Sequence, residues 1–186
     1  MGEFETALTQ VVGALNQLNL PYMLTGAVAV AYHGQPRTTH DIDIVILVAA
    51  SDVARVAAAL RPDFSVDEES IRAALREHSM FNAIHEETGF KVDFWMLKSG
   101  EYDRASFARR VRVNLLGTEM LMPTPEDVIV AKLEWHRMSD IDKHYFDALG
   151  IAAVQKGRLD TAYIARWCEA RALTDLWHRI EREAGA

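Results

Sequence analysis

A single cysteine, Cys168, among 186 residues leaves no partner for an internal disulfide and no cysteine metal cluster. A lone thiol of this kind reads as a small buried apolar group, in keeping with a reducing compartment. The five prolines and ten glycines are scattered, and no Gly/Ser, Pro or Gln tract interrupts the chain, so a disordered or fibrous protein is not expected. Long apolar runs are missing as well. The longest, Ile44 to Ala50, falls far short of the roughly 20 residues that cross a bilayer, and the N-terminus has no basic stretch followed by an apolar one. The expectation is a cytoplasmic protein with no membrane partner and no export signal. Positive charge is also scarce: 20 Lys and Arg against 27 Asp and Glu leave a net charge of −7. The overall field repels phosphate, so a nucleic-acid partner would have to be met by a local basic patch.

What is present suits an ordinary folded domain: 49% hydrophobic and 25% charged residues, enough for one core or for an α/β domain with a helical appendage. Phe4, Leu8, Val11, Val12, Leu15 and Leu18 recur at helical spacing, and Asn19 and Pro21 end that helix. A short strand over Tyr22 to Thr25 leads through Gly26 into an alanine-rich helix, Ala27 to Tyr32. Gly34, Pro36 and Arg37 then turn the chain into Asp41. From Asp41 to Val48 both faces become apolar, which predicts a buried central strand. Helices are expected from Ser51 to about Leu60 and over Glu68 to Glu77. Hairpins are expected over Met80 to Leu97 and over Val111 to Met122, the second turning at Gly117. Thr124, Pro125, Glu126 and Asp127 form a clear helix start, and everything after it reads as helix. The fold class is therefore α+β. Residues 1–123 make a mixed core, and residues 124–186 a small C-terminal helical bundle packed on it. The aromatics Trp135, Tyr145, Phe146, Tyr163, Trp167 and Trp177 are expected in the bundle core.

Asp41 and Asp43 sit two apart on a strand, so their side chains leave one face about 6.6 Å apart and can lean toward a shared cation. Oxygen-only ligands suit Mg²⁺ or Mn²⁺. A carboxylate pair at a solvated strand end needs no metal, however. Asp93, within Lys91-Val92-Asp93-Phe94-Trp95, is a third acid on a strand that otherwise looks buried, and it could equally be paired with Lys91 or an arginine. If the two strands are neighbours, three carboxylates converge as in-line phosphoryl chemistry requires. Gly26, at the entry to a helix, lets a ligand approach the backbone, and the free N–H groups there favour an anion such as a triphosphate. Trp95 shares a strand face with Asp93, where a nucleobase could rest. None of the seven histidines forms a convincing zinc pattern.

Gly26, Gly34, Arg37, Thr39, Asp41, Asp43 and Asp93, in that order, resemble the nucleotidyltransferase superfamily: a glycine turn, a helix, a D-x-D strand and a third acid on a later strand. The stretch Gly26-Ala27-Val28-Ala29-Val30-Ala31-Tyr32-His33-Gly34 through Asp41-Ile42-Asp43 looks more closely like the AbiEii type of abortive-infection toxins. So do Pro125-Glu126-Asp127, Lys132-Leu133-Glu134-Trp135-His136-Arg137 and Asp147. Where the superfamily commonly has glycine or serine after the first glycine, this chain has Ala27, which keeps the N–H donor and lacks a hydroxyl. The resemblance implies a minimal nucleotidyltransferase fold, a mixed β-sheet flanked by helices. It implies transfer of a nucleoside monophosphate from a nucleoside triphosphate to a hydroxyl of an RNA such as a tRNA end, a protein or a small molecule. Asp41, Asp43 and Asp93 would be catalytic and hold Mg²⁺ or Mn²⁺. Gly26, Ala27, Arg37, Thr39 and Lys132 would bind the nucleotide, although Lys132 could instead pair internally with Asp147. A cognate antitoxin is an implied partner, and the alternative is a weak or inactive scaffold that serves such a pair by binding.

Overall fold

The computed structural model describes residues 2–185, and these divide into two compact units. The first runs up to Ala27 and resumes over Thr38–Met122; the second comprises Val28–Arg37 and the chain from Pro123 on.

In the first unit, helix α1 (Glu3–Gln17) buries Ala7, Leu8, Val11, Val12 and Leu15 on one stripe, as its apolar spacing requires. Strand β1 (Tyr22–Leu24) is followed by helix α2 (Gly26–His33), which starts in this unit and continues in the second. Strand β2 covers Asp41–Ile46, and a 3₁₀ turn at Ala50–Asp52 leads into α3 (Val53–Leu60). The short strand β3 (Phe64–Ser65) precedes α4 (Glu68–Glu77). The Asp67 side chain caps α4 by accepting from the N–H groups of Glu69 and Ser70, and His78 ends it in the left-handed region. Strands β4 (Met80–His85) and β5 (Lys91–Met96) form the expected hairpin. Helix α5 (Glu101–Arg109) was not signalled by the sequence pattern, because its buried apolar residues, Tyr102 and Phe107, make no continuous stripe. Strands β6 (Val111–Leu115) and β7 (Thr118–Met122) pair as a separate antiparallel ribbon, with β7 lying against β1 and α1.

The main sheet has the order β1-β2-β5-β4-β3 and is mixed: β2 and β5 run parallel at its centre, and every other pair is antiparallel. One face is dry. Leu24, Ile42, Ile44, Ile46, Val92, Phe94, Met96, Phe81 and Ala83 are all buried on it, with Phe81 and Phe94 stacked at a ring separation of 4.6 Å. Each large side chain there stabilises the fold by about 1.5 to 3 kcal/mol. The opposite face is only partly covered: Asp41 and Leu47 are exposed, Asp43 and Val45 half-buried, and β2 stops at Ile46 rather than Val48. The apolar density of Asp41 to Val48 overstated the burial because Val45 and Leu47 lie on this second, open face.

In the second unit, α6 (Pro125–Ser139), α7 (Asp142–Val154), α8 (Thr161–Ala170) and α9 (Thr174–Glu183) form the helical bundle. Helix α6 packs on α7 and α8, and α9 packs on α7 and α8. Thr124 caps α6 through the Asp127 N–H, with Pro125 at its first position. Gly34 approaches α7 so closely that a β-carbon would stand 2.8 Å from Ile151 Cγ1. Tyr145, Tyr163, Trp167 and Trp177 are core residues, whereas Trp135 and Phe146 are exposed, at 44% and 62%. Their positions on α6 and α7 lie off the stripes that face neighbouring helices. Among the described residues, no helix is long and apolar enough to cross a membrane.

Candidate active site on the open sheet face

Because β2 and β5 are parallel, their N-terminal ends lie together, and antiparallel β1 delivers its C-terminal end to the same edge. The register then sorts side chains into rows across the open face. Asn82, Asp93 and Asp43 face one another across β4, β5 and β2; Ile84, Lys91 and Asp41 form the next row; Met80, Trp95 and Val45 form the third. Two of the three expected carboxylates, Asp43 and Asp93, are thus direct neighbours, and Asp41 stands one row away.

Gly26 closes this edge. The Thr25 N–H donates to the Asp43 carbonyl at 2.9 Å, which ties the end of β1 to β2. Gly26 itself takes φ +60°, and a β-carbon there would lie 2.0 Å from Asp43 Oδ2. Only glycine allows both the left-handed turn and that approach. The start of α2, with its unsatisfied N–H groups, is held against the Asp43 carboxylate. Ala27 follows and is buried. The Thr39 hydroxyl interacts with both the N–H and the carbonyl of Asp41, fixing the entry to β2. On the other side of Asp43, the Trp95 indole N–H donates to Oδ1 at 3.4 Å, a long contact that orients the carboxylate without neutralising it.

Lys91 offsets part of the negative charge on this face. Its Nζ lies 2.8 Å from Asp93 Oδ2 and 3.9 Å from Asp41 Oδ1. The hydrogen bond that Lys91 donates to Asp93, helped by the negative charges of Asp93, Asp41 and Asp43, raises the Lys91 pKa above the ordinary lysine value. Asp93 is buried, at 7% exposure, and its second oxygen, Oδ1, has no hydrogen-bond partner. A buried carboxylate oxygen left this way is costly unless a cation or donor reaches it. The acids share a face but are not gathered into a ready metal cage: among the described residues, no cluster of three or more His, Cys, Asp or Glu groups stands as a metal site. Lys91 supplies the positive charge there instead. The donors nonetheless fit a hard divalent ion, being oxygen throughout, with one buried oxygen of Asp93 unsatisfied among the described residues.

The two expected phosphate-binding cations lie in the second unit, where both engage Asp147. Arg37 donates from Nε to Oδ1 at 3.0 Å and from Nη2 to Oδ2 at 3.3 Å, and Lys132 Nζ is 2.9 Å from Oδ2. Two cations thus share one buried carboxylate. His33, flanking the turn, is buried and donates from Nε2 to the Pro123 carbonyl at 2.8 Å. Burial lowers its pKa below the usual histidine value. His40 is exposed. Sequence reasoning overlooked Asn82, whose only signal was its place on the exposed alternation of β4. It had met Lys91 only as a possible partner of Asp93.

No protein-family model matches the chain, and no curated protein matches it. Solved structures do. An antigenic nucleotidyltransferase-like protein from Paracoccidioides brasiliensis aligns with a TM-score of 0.59 at 15% identity, over 95% of this chain and 92% of that one. The antibiotic-resistance factor ANT(2'')-Ia aligns at 0.57 and 13% identity, over 94% and 90%. The lincosamide antibiotic adenylyltransferase LnuA, solved with lincomycin bound, aligns at 0.53 and 18% identity, over 81% and 97%. The chain is an α+β protein with a nucleotidyltransferase-like fold.

Proposed function

We propose that this chain is a nucleotidyltransferase that moves a nucleoside monophosphate from a nucleoside triphosphate to an acceptor hydroxyl. The observation that carries the reading is the pairing of Asp43 with Asp93 across adjacent parallel strands, with Asp41 one row away and Gly26 held against Asp43. Asp41, Asp43 and Asp93 would hold Mg²⁺ or Mn²⁺, which when bound draws charge from the triphosphate oxygens. The N–H groups at the start of α2 favour the anionic triphosphate beside Asp43. In the transfer, the acceptor oxygen bonds to the α-phosphorus, the bond to the bridging oxygen breaks, and pyrophosphate leaves with its electron pair. The acceptor's proton passes to a carboxylate oxygen, and Asp93 Oδ1, buried and unpartnered, is suited to take it.

The fold likeness to antibiotic adenylyltransferases supports a small-molecule hydroxyl as the first acceptor to try, with an RNA end and a protein hydroxyl after it. The AbiEii-like stretch through Asp43 supports a toxin-related role with a cognate antitoxin. A second reading, a weak or inactive scaffold that acts by binding, is favoured by the ion pair of Lys91 with Asp93, a cation that the chain itself supplies to this acid. Calorimetry with each of the four ribonucleoside triphosphates and Mg²⁺ separates the two. The transferase reading expects metal-dependent binding, lost in a chain carrying Asp41→Ala and Asp43→Ala, with pyrophosphate released in the presence of acceptor. No binding by the folded natural chain, or release of inorganic phosphate alone, would sink it.

A further inference from the structure

The two oxygens of Asp93 differ. Oδ2 accepts from the Lys91 ammonium at 2.8 Å, whereas Oδ1 is buried with no partner. Lys91 lies directly across β2 from Asp41 and one row from the Asp43 and Asp93 pair, so a single tethered cation serves two of the three acids. Three carboxylates and one ammonium leave this face with a net charge of about −2, enough to draw one divalent ion, whereas the acids alone would carry about −3. A divalent ion that used both oxygens of Asp93, or that joined Asp93 to Asp41, would have to take the place Lys91 holds. The lysine side chain is 43% exposed, so its flexible stem has solvent to move into.

We propose that Lys91 is a tethered counter-ion that competes with a divalent metal for Asp93 and Asp41. The metal enters as the ammonium leaves these carboxylates, and a nucleotide phosphate offers the displaced ammonium a new anion. Metal and nucleotide binding are coupled through Lys91 as a result, each favouring the other. Lys91 is then a positioning residue: in the metal-free chain it holds Asp93 and Asp41 in place and keeps adventitious cations off them. This inference rests on the metal-holding reading of Asp41, Asp43 and Asp93 above.

The test is a titration of Mn²⁺ alone into the nucleotide-free chain, with free Mn²⁺ followed by electron paramagnetic resonance. Lys91→Met is expected to bind Mn²⁺ about two- to fivefold more tightly than the natural chain, the scale of a partly exposed ion pair. Lys91→Arg keeps the charge and should stay near the natural affinity, and Asp43→Asn should lose binding. Lys91→Gln serves the same purpose as the methionine variant should that one fail to fold, with circular dichroism as the check. Unchanged Mn²⁺ affinity in the neutral variants, alongside loss in Asp43→Asn, overturns the role of Lys91 and leaves the acid site standing. Absence of Mn²⁺ binding in both the natural chain and the neutral variants overturns the metal site itself, and the Lys91 proposal with it.

Discussion

Replacing Gly26 with alanine probes the most constrained point of the candidate site, because two separable penalties meet there. The first is backbone: φ is +60°, and an alanine in the left-handed region costs about 1 to 2 kcal/mol. The second is steric. The new β-carbon would lie 2.0 Å from Asp43 Oδ2, 2.7 Å from Cγ and 2.9 Å from Cβ, so the carboxylate must rotate away, at about 0.5 to 1.5 kcal/mol for an off-rotamer side chain. Together these predict a loss of about 1.5 to 3.5 kcal/mol, or a fall in melting temperature of about 3 to 14 °C for a chain of this size. Gly89 supplies the control: its φ is +73°, yet a β-carbon there meets nothing within 4 Å. Gly89→Ala should therefore show the backbone penalty alone and leave nucleotide and metal binding intact. Gly26→Ala should be the less stable of the two and should lose most triphosphate binding, since a displacement of about 1 Å in a group of this kind can cost on the order of a hundredfold. The assays are thermal unfolding by circular dichroism and calorimetric titration with triphosphate and Mg²⁺. Equal stability and equal binding in the two variants would refute the argument that Gly26 exists to let the turn approach Asp43.

The other expectations concern the second unit. Burial pushes the Cys168 thiol pKa up to about 12, so a thiol reagent at pH 8 should leave the native chain unmodified and react once urea has unfolded it. Rapid modification of the folded chain would contradict this. His33 and His144 both have lowered pKa values, chiefly through burial, so they stay neutral in the fold where the unfolded chain would take up protons. Their contribution to stability is complete above about pH 6.5 and falls as pH drops from there toward the folded-state values. Urea midpoints should be similar at pH 7.5 and 6.5 and lower at pH 5.5, with a shallower fall in His33→Gln. Asp147→Asn leaves Arg37 and Lys132 facing each other without their shared carboxylate, and should destabilise the chain by about 3 to 5 kcal/mol in urea unfolding, the range for a buried pair deprived of one partner. Lys132→Met, which leaves the Arg37 and Asp147 pair in place, should cost less.

Most elements were legible because their signals are local. The Thr124 and Pro125 start of α6, the stripe of α1 and the β4–β5 hairpin depend on residues within a few positions of one another. Helix α5 escaped because Tyr102 and Phe107 bury themselves without a repeating stripe. The exposure of Trp135 and Phe146 escaped because composition shows that a helix carries an aromatic, not which side its neighbours cover.

By itself the sequence determined which residues are candidates for a site: an acid pair at a strand start, a third acid on a later strand, and a glycine where a strand becomes a helix. Tertiary structure alone decided which of them meet. The parallel register sets Asp43 opposite Asp93 and Lys91 opposite Asp41, and a slip of β5 by one residue would have turned Asp93 and Lys91 to the dry face. It also decided which partners charges choose, with Lys91 on Asp93, and Arg37 and Lys132 on Asp147. The physical reason is distance along the chain. Strand spacing is written in neighbouring residues, whereas the β2–β5 register and the Arg37–Asp147 pair depend on groups brought together from about fifty residues or more apart, where only the packed core selects one arrangement.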